Sequence, residues 1–209
     1  MVDGRIIDTD AVDLDDEKVK TMTRAMILCN DSSCKDGVEI GDHTETALIN
    51  FGTKLGIDTD KVREDLPRIS EIPFDSDRKL MSTLHVIDGE KVLYVKGAAD
   101  VLINRITSSD EEKAVITQRV AELSEKGLRI LAFAEKKFDK DTVCPEDEDG
   151  LEFVGLIAMM DPPREESKAA VAECRKAGIK PVMITGDHIV TASAIARELG
   201  ILDANSKAV

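Results

Sequence analysis

Aromatic side chains are scarce in this sequence: no Trp, one Tyr (Tyr94) and five Phe in 209 residues. Any ring that stacks on a ligand comes from that short list. Basic charge is also scarce. Lys and Arg number 28 against 42 Asp and Glu, a formal net charge of −14. Non-specific grip on nucleic acid needs a basic surface that displaces counterions, so that class is excluded. Long apolar runs are missing. The longest, Val154–Met160, is broken by Gly155, whereas a membrane span needs about 20 apolar residues. Met1-Val2-Asp3-Gly4-Arg5 offers neither a basic n-region nor an apolar h-region, so no signal peptide is expected. Cys29, Cys34, Cys144 and Cys174 form no CxxC and have no His at zinc spacing. They read as reduced thiols, outside any disulfide framework. His43, His85 and His188 are too dispersed to mark a metal cluster, so no metal ligands are assigned. The nucleotide signatures GxxxxGK(S/T) and GxGxxG are both missing, so a nucleotide site here must be built another way.

What is present is enough for a folded core: 42% of residues are hydrophobic. At roughly 150 residues per domain, the length allows one to two domains. Charge is uneven. Residues 151–209 carry 8 acids and 7 bases, and residues 1–150 carry 34 and 21. The polar stretch Lys136–Gly150 contains Pro145 and ends in an acidic run. It suits an exposed connection and places a domain boundary near Gly150.

Before that boundary, apolar periodicity predicts helices over Asp15–Cys29, Asp42–Leu55, Gly97–Arg105 and Ser109–Lys126. Lys79–Ile87 and Lys91–Val95 flank Asp88-Gly89, a strong hairpin signal, and Leu128–Phe138 reads as a further strand. Antiparallel strands with helices to the side give an α+β domain over residues 1–150. After the boundary the rhythm becomes strand Leu151–Met160, helix Arg164–Ala177, strand Ile179–Ile184 and helix His188–Leu199. That is a β-α-β-α unit of a parallel sheet. It is too short to close a doubly wound domain, so residues 151–209 are expected to be a truncated α/β piece.

Thr185-Gly186-Asp187 falls where a buried strand gives way to a helix. Ligands of open α/β sheets bind at such carboxyl ends, and helix-start amides can face an anion. The alternative is an ordinary turn with Asp187 as N-cap. Asp161-Pro162-Pro163-Arg164 stiffens the preceding strand-to-helix exit, with Arg164 either near the same edge or simply solvated.

Taken together, Asp161-Pro162-Pro163-Arg164 and Met183-Ile184-Thr185-Gly186-Asp187-His188 resemble the cytoplasmic part of P-type cation-transporting ATPases, the type II pumps that include calcium ATPases. Further landmarks follow in family order. Gly41-Asp42-His43-Thr44-Glu45-Thr46-Ala47-Leu48 resembles G-(D/E)-x-T-E-x-A-L. Phe74 through Ser82 resembles F-x-S-x-R-K-x-M-S, Lys96-Gly97-Ala98 resembles K-G-A-P-E, and Gly127-Leu128-Arg129 resembles G-x-R.

The resemblance implies an ATP nucleotide-binding domain followed by part of a haloacid-dehalogenase-like phosphorylation domain. It implies Mg-ATP as ligand, with Mg2+ arriving on the nucleotide, and delivery of the γ-phosphoryl to an Asp in a DKTGT motif. That motif is absent here, so the expectation is ATP binding without turnover. The piece would be soluble, the cytoplasmic part of a membrane-integral pump whose actuator, transmembrane and remaining phosphorylation domains are its partners. Phe74 takes the adenine-stacking position, and a purine gains roughly 1–3 kcal/mol from such a stack; a core Phe is the alternative. Lys79 and Lys96 would donate to the nucleotide from the two ends of one hairpin, with Gly97 beside them; each read alone is a solvated lysine. Glu45 would accept from the adenine amino group, with Asp42 and Thr44 lining the pocket; a first-turn acid favoured by the helix dipole is the alternative. Arg129 would contact phosphate, or be an exposed strand-edge Arg. Arg164 would join the ATP set, and Thr185, Gly186 and Asp187 the catalytic set. The sequence departs from the family at Ala99-Asp100, where Pro-Glu is expected. A modest affinity for ATP follows.

Two other readings compete. Asp8-Thr9-Asp10-Ala11-Val12 fits D-x-D-x-(T/V), the nucleophile motif of haloacid-dehalogenase-type phosphatases, with Asp8 as nucleophile and Asp10 as acid. Against it, Ile6-Ile7 is too short for a central buried strand. The third is a non-catalytic interaction module.

Overall fold

The computed structural model of the chain describes residues 9–35, 37–160, 164–185 and 189–203. The chain divides into two compact units, residues 1–117 with 131–157, and residues 118–130 with 158–209.

In the first unit, Asp16 caps helix α1 (Glu17–Leu28) by accepting from the amides of Lys18 and Val19. The stripe Val19, Met22 and Met26 is buried, as its helical spacing requires. A short antiparallel ribbon follows, β1 (Ser33–Lys35) and β2 (Val38–Ile40). Helices α2 (His43–Lys54) and α3 (Thr59–Asp65) are capped by Asp42 and Asp58.

The main sheet contains β3 (Ser70–Asp75), β4 (Leu80–Ile87), β5 (Glu90–Ala98), β6 (Arg129–Lys137) and β7 (Glu152–Met159), in that spatial order. Strands β3 to β6 pair antiparallel. Between β5 and β6 lie α4 (Ala99–Leu102) and α5 (Asp110–Ser124). The β4–β5 turn is Asp88-Gly89, both with positive φ (50° and 84°), the conformation that a two-residue hairpin demands. Helix α1 packs on β5, with α2 and α3 beside α1. Met26, Leu84, Leu93, Tyr94 and Phe133 fill the core with exposure of 1% or less. Each such side chain stabilises by about 1.5–3 kcal/mol.

Several boundaries differ from the sequence reading. Strand β3 and helix α3 carry no strong periodic signal, and Phe74 lies inside β3. Strand β5 runs on through Ala98, so Lys96 and Gly97 are strand residues and the helix expected over 97–105 shortens to α4 and one 3₁₀ turn. Lys79 belongs to the β3–β4 turn, one residue before β4.

The expected β-α-β-α rhythm is corrected more deeply. The strand over Leu151–Met160 exists as β7, but it extends the five-stranded sheet beside β6. Helices α6 (Glu165–Lys176) and α7 (Ile189–Glu198) form in the second unit. Lys168 bonds Glu198 (3.0 Å) and Arg175 bonds Asp203 (3.1 Å). The strand expected over Ile179–Ile184 does not form, and Val182 and Ile184 are exposed at 74% and 94%. Pro181 removes a ladder donor there, and among the described residues no strand runs alongside to satisfy the rest.

Candidate functional site at one end of the sheet

The β3–β4 turn carries the sequence-predicted Lys79, and Phe74 precedes it in β3. Asp75 opens it: its Oδ1 accepts from the amides of Asp77 (3.1 Å) and Arg78 (2.8 Å), and its carbonyl accepts from Lys79 N (2.6 Å). The chain returns to β4 by placing Lys79 in the left-handed region, φ 56°. That conformation costs a residue with a Cβ roughly 1–2 kcal/mol. Pairing then fixes a row across three strands, Asp75 to Leu80 to Gly97, with Met81 and Lys96 in the next row. Phe74, Lys79, Lys96 and Gly97 therefore share one end of the sheet.

Gly97 is required there by close approach. A Cβ at this position would sit 2.2 Å from the Lys79 carbonyl oxygen, and Ala98 N donates to that same carbonyl (3.1 Å). The glycine lets β5 close against the turn.

Phe74 is 58% exposed. It is not a core phenylalanine, and it stands out on a strongly acidic chain. Lys79 is half exposed, with Asp100 Oδ2 3.8 Å from its ammonium, a contact worth little at such exposure. Lys96 differs sharply: only 4% exposed, it ion-pairs with Glu45 of α2. The other Glu45 oxygen accepts from Asp31 N (2.9 Å) and Ser32 Oγ (3.4 Å), and Asn30 Nδ2 donates to the Glu45 carbonyl (3.0 Å). Asp42 accepts from Thr44 N (2.8 Å) at the start of the same helix. The pair thus brings the α2 residues Thr44 and Glu45, with their cap Asp42, to the sheet end that holds Phe74 and Lys79. Removing one partner of so buried a pair costs about 3–5 kcal/mol.

Arg129, Arg164 and Thr185 belong to the second unit and are exposed. Gly186 and Asp187 lie outside the described residues, as does Asp8, the nucleophile of the phosphatase reading. Asp10 is an exposed partner of Lys54 (3.2 Å).

Two residues at this sheet end escaped the sequence reading. Arg78 stands inside the motif that runs from Phe74 to Ser82, with no role assigned to it there. Glu148 sits in an acidic run that read as solvated linker. Its side chain is fully buried and pairs with Arg78. No spacing rule links positions this far apart.

A cavity of about 650 Å³ lies elsewhere in the first unit, lined by Lys18, Glu111, Glu112, Glu135, Glu152 and Phe153 among others. Burial, and then the charge of Glu152, pushes the Glu135 carboxyl above its ordinary range. A triphosphate would meet carboxylates there, so size alone does not select this cavity for a nucleotide.

A family model described as "P-type ATPase, cytoplasmic domain N" matches residues 18–166. The chain is 43% identical over 204 residues to calcium-transporting ATPase 1 of Lactococcus lactis subsp. lactis, covering 91% of this chain and 23% of that protein. It is 44% identical over 202 residues to calcium-transporting ATPase lmo0841 of Listeria monocytogenes, covering 90% and 23%. With the sodium/potassium exporting P-type ATPase cta3 of Schizosaccharomyces pombe it shares 36% identity over 198 residues, covering 87% and 19%. The chain spans about a quarter or less of the length of these relatives.

Proposed function

This chain belongs to the P-type ATPase cytoplasmic N-domain family, and from that premise we propose that the sheet end described above binds the adenine nucleotide of Mg-ATP. The observation that carries the reading is Phe74, 58% exposed, at the same strand ends as the Glu45–Lys96 pair and Lys79. A large ring left in water fits a purine face. The half-exposed Lys79 ammonium suits a phosphate oxygen. Glu45 accepts from the adenine amino group, and Lys96 holds Glu45 in place and donates to the nucleotide from the floor of the site. Asp42 and Thr44 line the pocket, while Gly97 lets the turn close.

Arg129 and Arg164 contact phosphate, and Thr185, Gly186 and Asp187 serve phosphoryl transfer within a haloacid-dehalogenase-like continuation over residues 151–209. Residues 1–150 are the nucleotide-binding domain in this scheme. Mg-ATP supplies a phosphoryl group for the DKTGT aspartate, which this sequence lacks, so the chain by itself binds without turnover. The longer pump in which it works moves a cation across a membrane, calcium by analogy with the names of the Lactococcus and Listeria relatives.

Calorimetric titration with Mg-ATP tests the reading. Phe74→Ala weakens binding about 5-fold or more, the loss of one base stack, in a chain that keeps its fold. Unchanged affinity in Phe74→Ala and Lys96→Ala together removes the site.

A further inference from the structure

An exposed ring is a useful stacking platform only if something holds it, and the Phe74 ring stands mostly in water. What fixes its backbone is a polar brace. The Arg78 guanidinium has two arms: Nη2 donates to the carbonyl of Pro73 (2.6 Å), the residue just before Phe74, and Nη1 bonds Glu148 Oε1. That same carboxylate oxygen accepts from Ser82 Oγ of β4. The Glu148 side chain is 0% exposed and that of Arg78 14%, so the brace is anchored inside the protein while its far arm reaches the rim.

The segment that delivers Glu148 is tied down independently. Val143 N donates to Ser70 Oγ at the start of β3 (3.2 Å), Asp147 accepts from Cys144 N (3.0 Å) and pairs with Lys140 (2.7 Å), and Glu148 N reaches the Pro145 carbonyl (3.3 Å). The carboxylate is thus presented from a fixed loop, and a guanidinium is the one side chain whose fork can bridge it to a backbone carbonyl.

We infer that Arg78 and Glu148 are positioning residues for nucleotide binding: the buried carboxylate aims Arg78, Arg78 clamps the Pro73 carbonyl, and the clamp sets the orientation of the Phe74 ring. The inference rests on the proposed Phe74 stack and adds two residues that touch no nucleotide. Preorganisation of this kind raises affinity by lowering the ordering cost at binding.

Two variants of the full chain separate positioning from mere stability. Arg78→Lys keeps a cation on Glu148 but has no second arm for Pro73. The double variant Arg78→Met with Glu148→Leu replaces a buried ion pair with apolar groups, an exchange folds often tolerate. Each is titrated with Mg-ATP, alone and in a Phe74→Ala background, with thermal midpoints measured alongside. Both variants lower affinity about 5- to 10-fold, with little change in midpoint for Arg78→Lys. In the Phe74→Ala background neither costs more than about 2-fold, because residues acting through one ring are not additive. Since the chain has no Trp, Phe74→Trp gives a direct second readout: the fluorescence anisotropy of the introduced indole falls when either Arg78 change is added. Wild-type affinity in both variants, or losses that add in full to that of Phe74→Ala, overturns the positioning role and leaves the stack standing. Wild-type affinity in Phe74→Ala itself overturns the stack, and the brace loses its purpose with it.

Discussion

Two short apolar runs in this molecule read alike and fold differently. Leu80–Ile87 is a strand with antiparallel neighbours on both sides, Leu80, Met81 and Leu84 at 0% exposure. Ile179–Ile184 has no regular structure and leaves Ile184 94% exposed. The first has its backbone groups answered by β3 and β5. The second carries Pro181 and meets no neighbouring strand among the described residues. Apolar residues propose a strand, but the partner's hydrogen bonds decide it. The site follows the same division: the proposed nucleotide-contact residues that the structure gathers lie on paired strands, the turn that joins two of them and a capped helix of the first unit.

Amide hydrogen exchange breaks or sharpens this contrast most directly. Amides of β4 and β5 should exchange more slowly than those of residues 179–185 by a factor of about 10³ or more, the span between global opening and local fraying. Equal protection in both segments would mean the second run is paired after all. Next in size are matched truncations. Leu84→Ala removes a fully buried side chain and should cost about 2–5 kcal/mol in chemical denaturation. Ile184→Ala should stay within about 0.5 kcal/mol.

A smaller effect comes from His85, in β4. Its ring is 1% exposed, Nδ1 donates to the Leu66 carbonyl (2.9 Å), and Nε2 has no partner. Burial is the main cause that pulls its pKa below the ordinary 6.5. The unfolded chain therefore binds a proton that the folded chain resists. Stability contributed by the neutral ring is complete above about pH 6.5 and is lost as pH falls below it. Stability should therefore fall between pH 7.5 and 5.5, and His85→Gln should remove that part of the slope. The smallest effect is at Lys79. Its φ of 56° is held by the strands on either side, and Lys79→Gly should stabilise the fold by about 0.5–1 kcal/mol while weakening Mg-ATP binding.

Legibility in the sequence followed the range of the interaction. The Asp88-Gly89 hairpin and the helical spacing of Val19, Met22 and Met26 are local, and the sequence announces them. Strand β3 was not legible, because four of its six residues are exposed, Pro73 among them, and its alternation is broken. The site was visible as residue types in a motif, yet its internal wiring was not. Nothing in the spacing says that Lys96 is buried against Glu45, or that Glu148 in an acidic run turns inward to Arg78. Those pairings arise from register and loop packing, which act across long stretches of chain.

The most direct test of the central claim is amide shift mapping of the folded chain during a Mg-ATP titration. The account predicts perturbations concentrated at residues 42–45, 73–81 and 95–98, with the cavity beside Glu111 and Glu135 undisturbed. Perturbations centred on that cavity, or none at millimolar nucleotide, would contradict it.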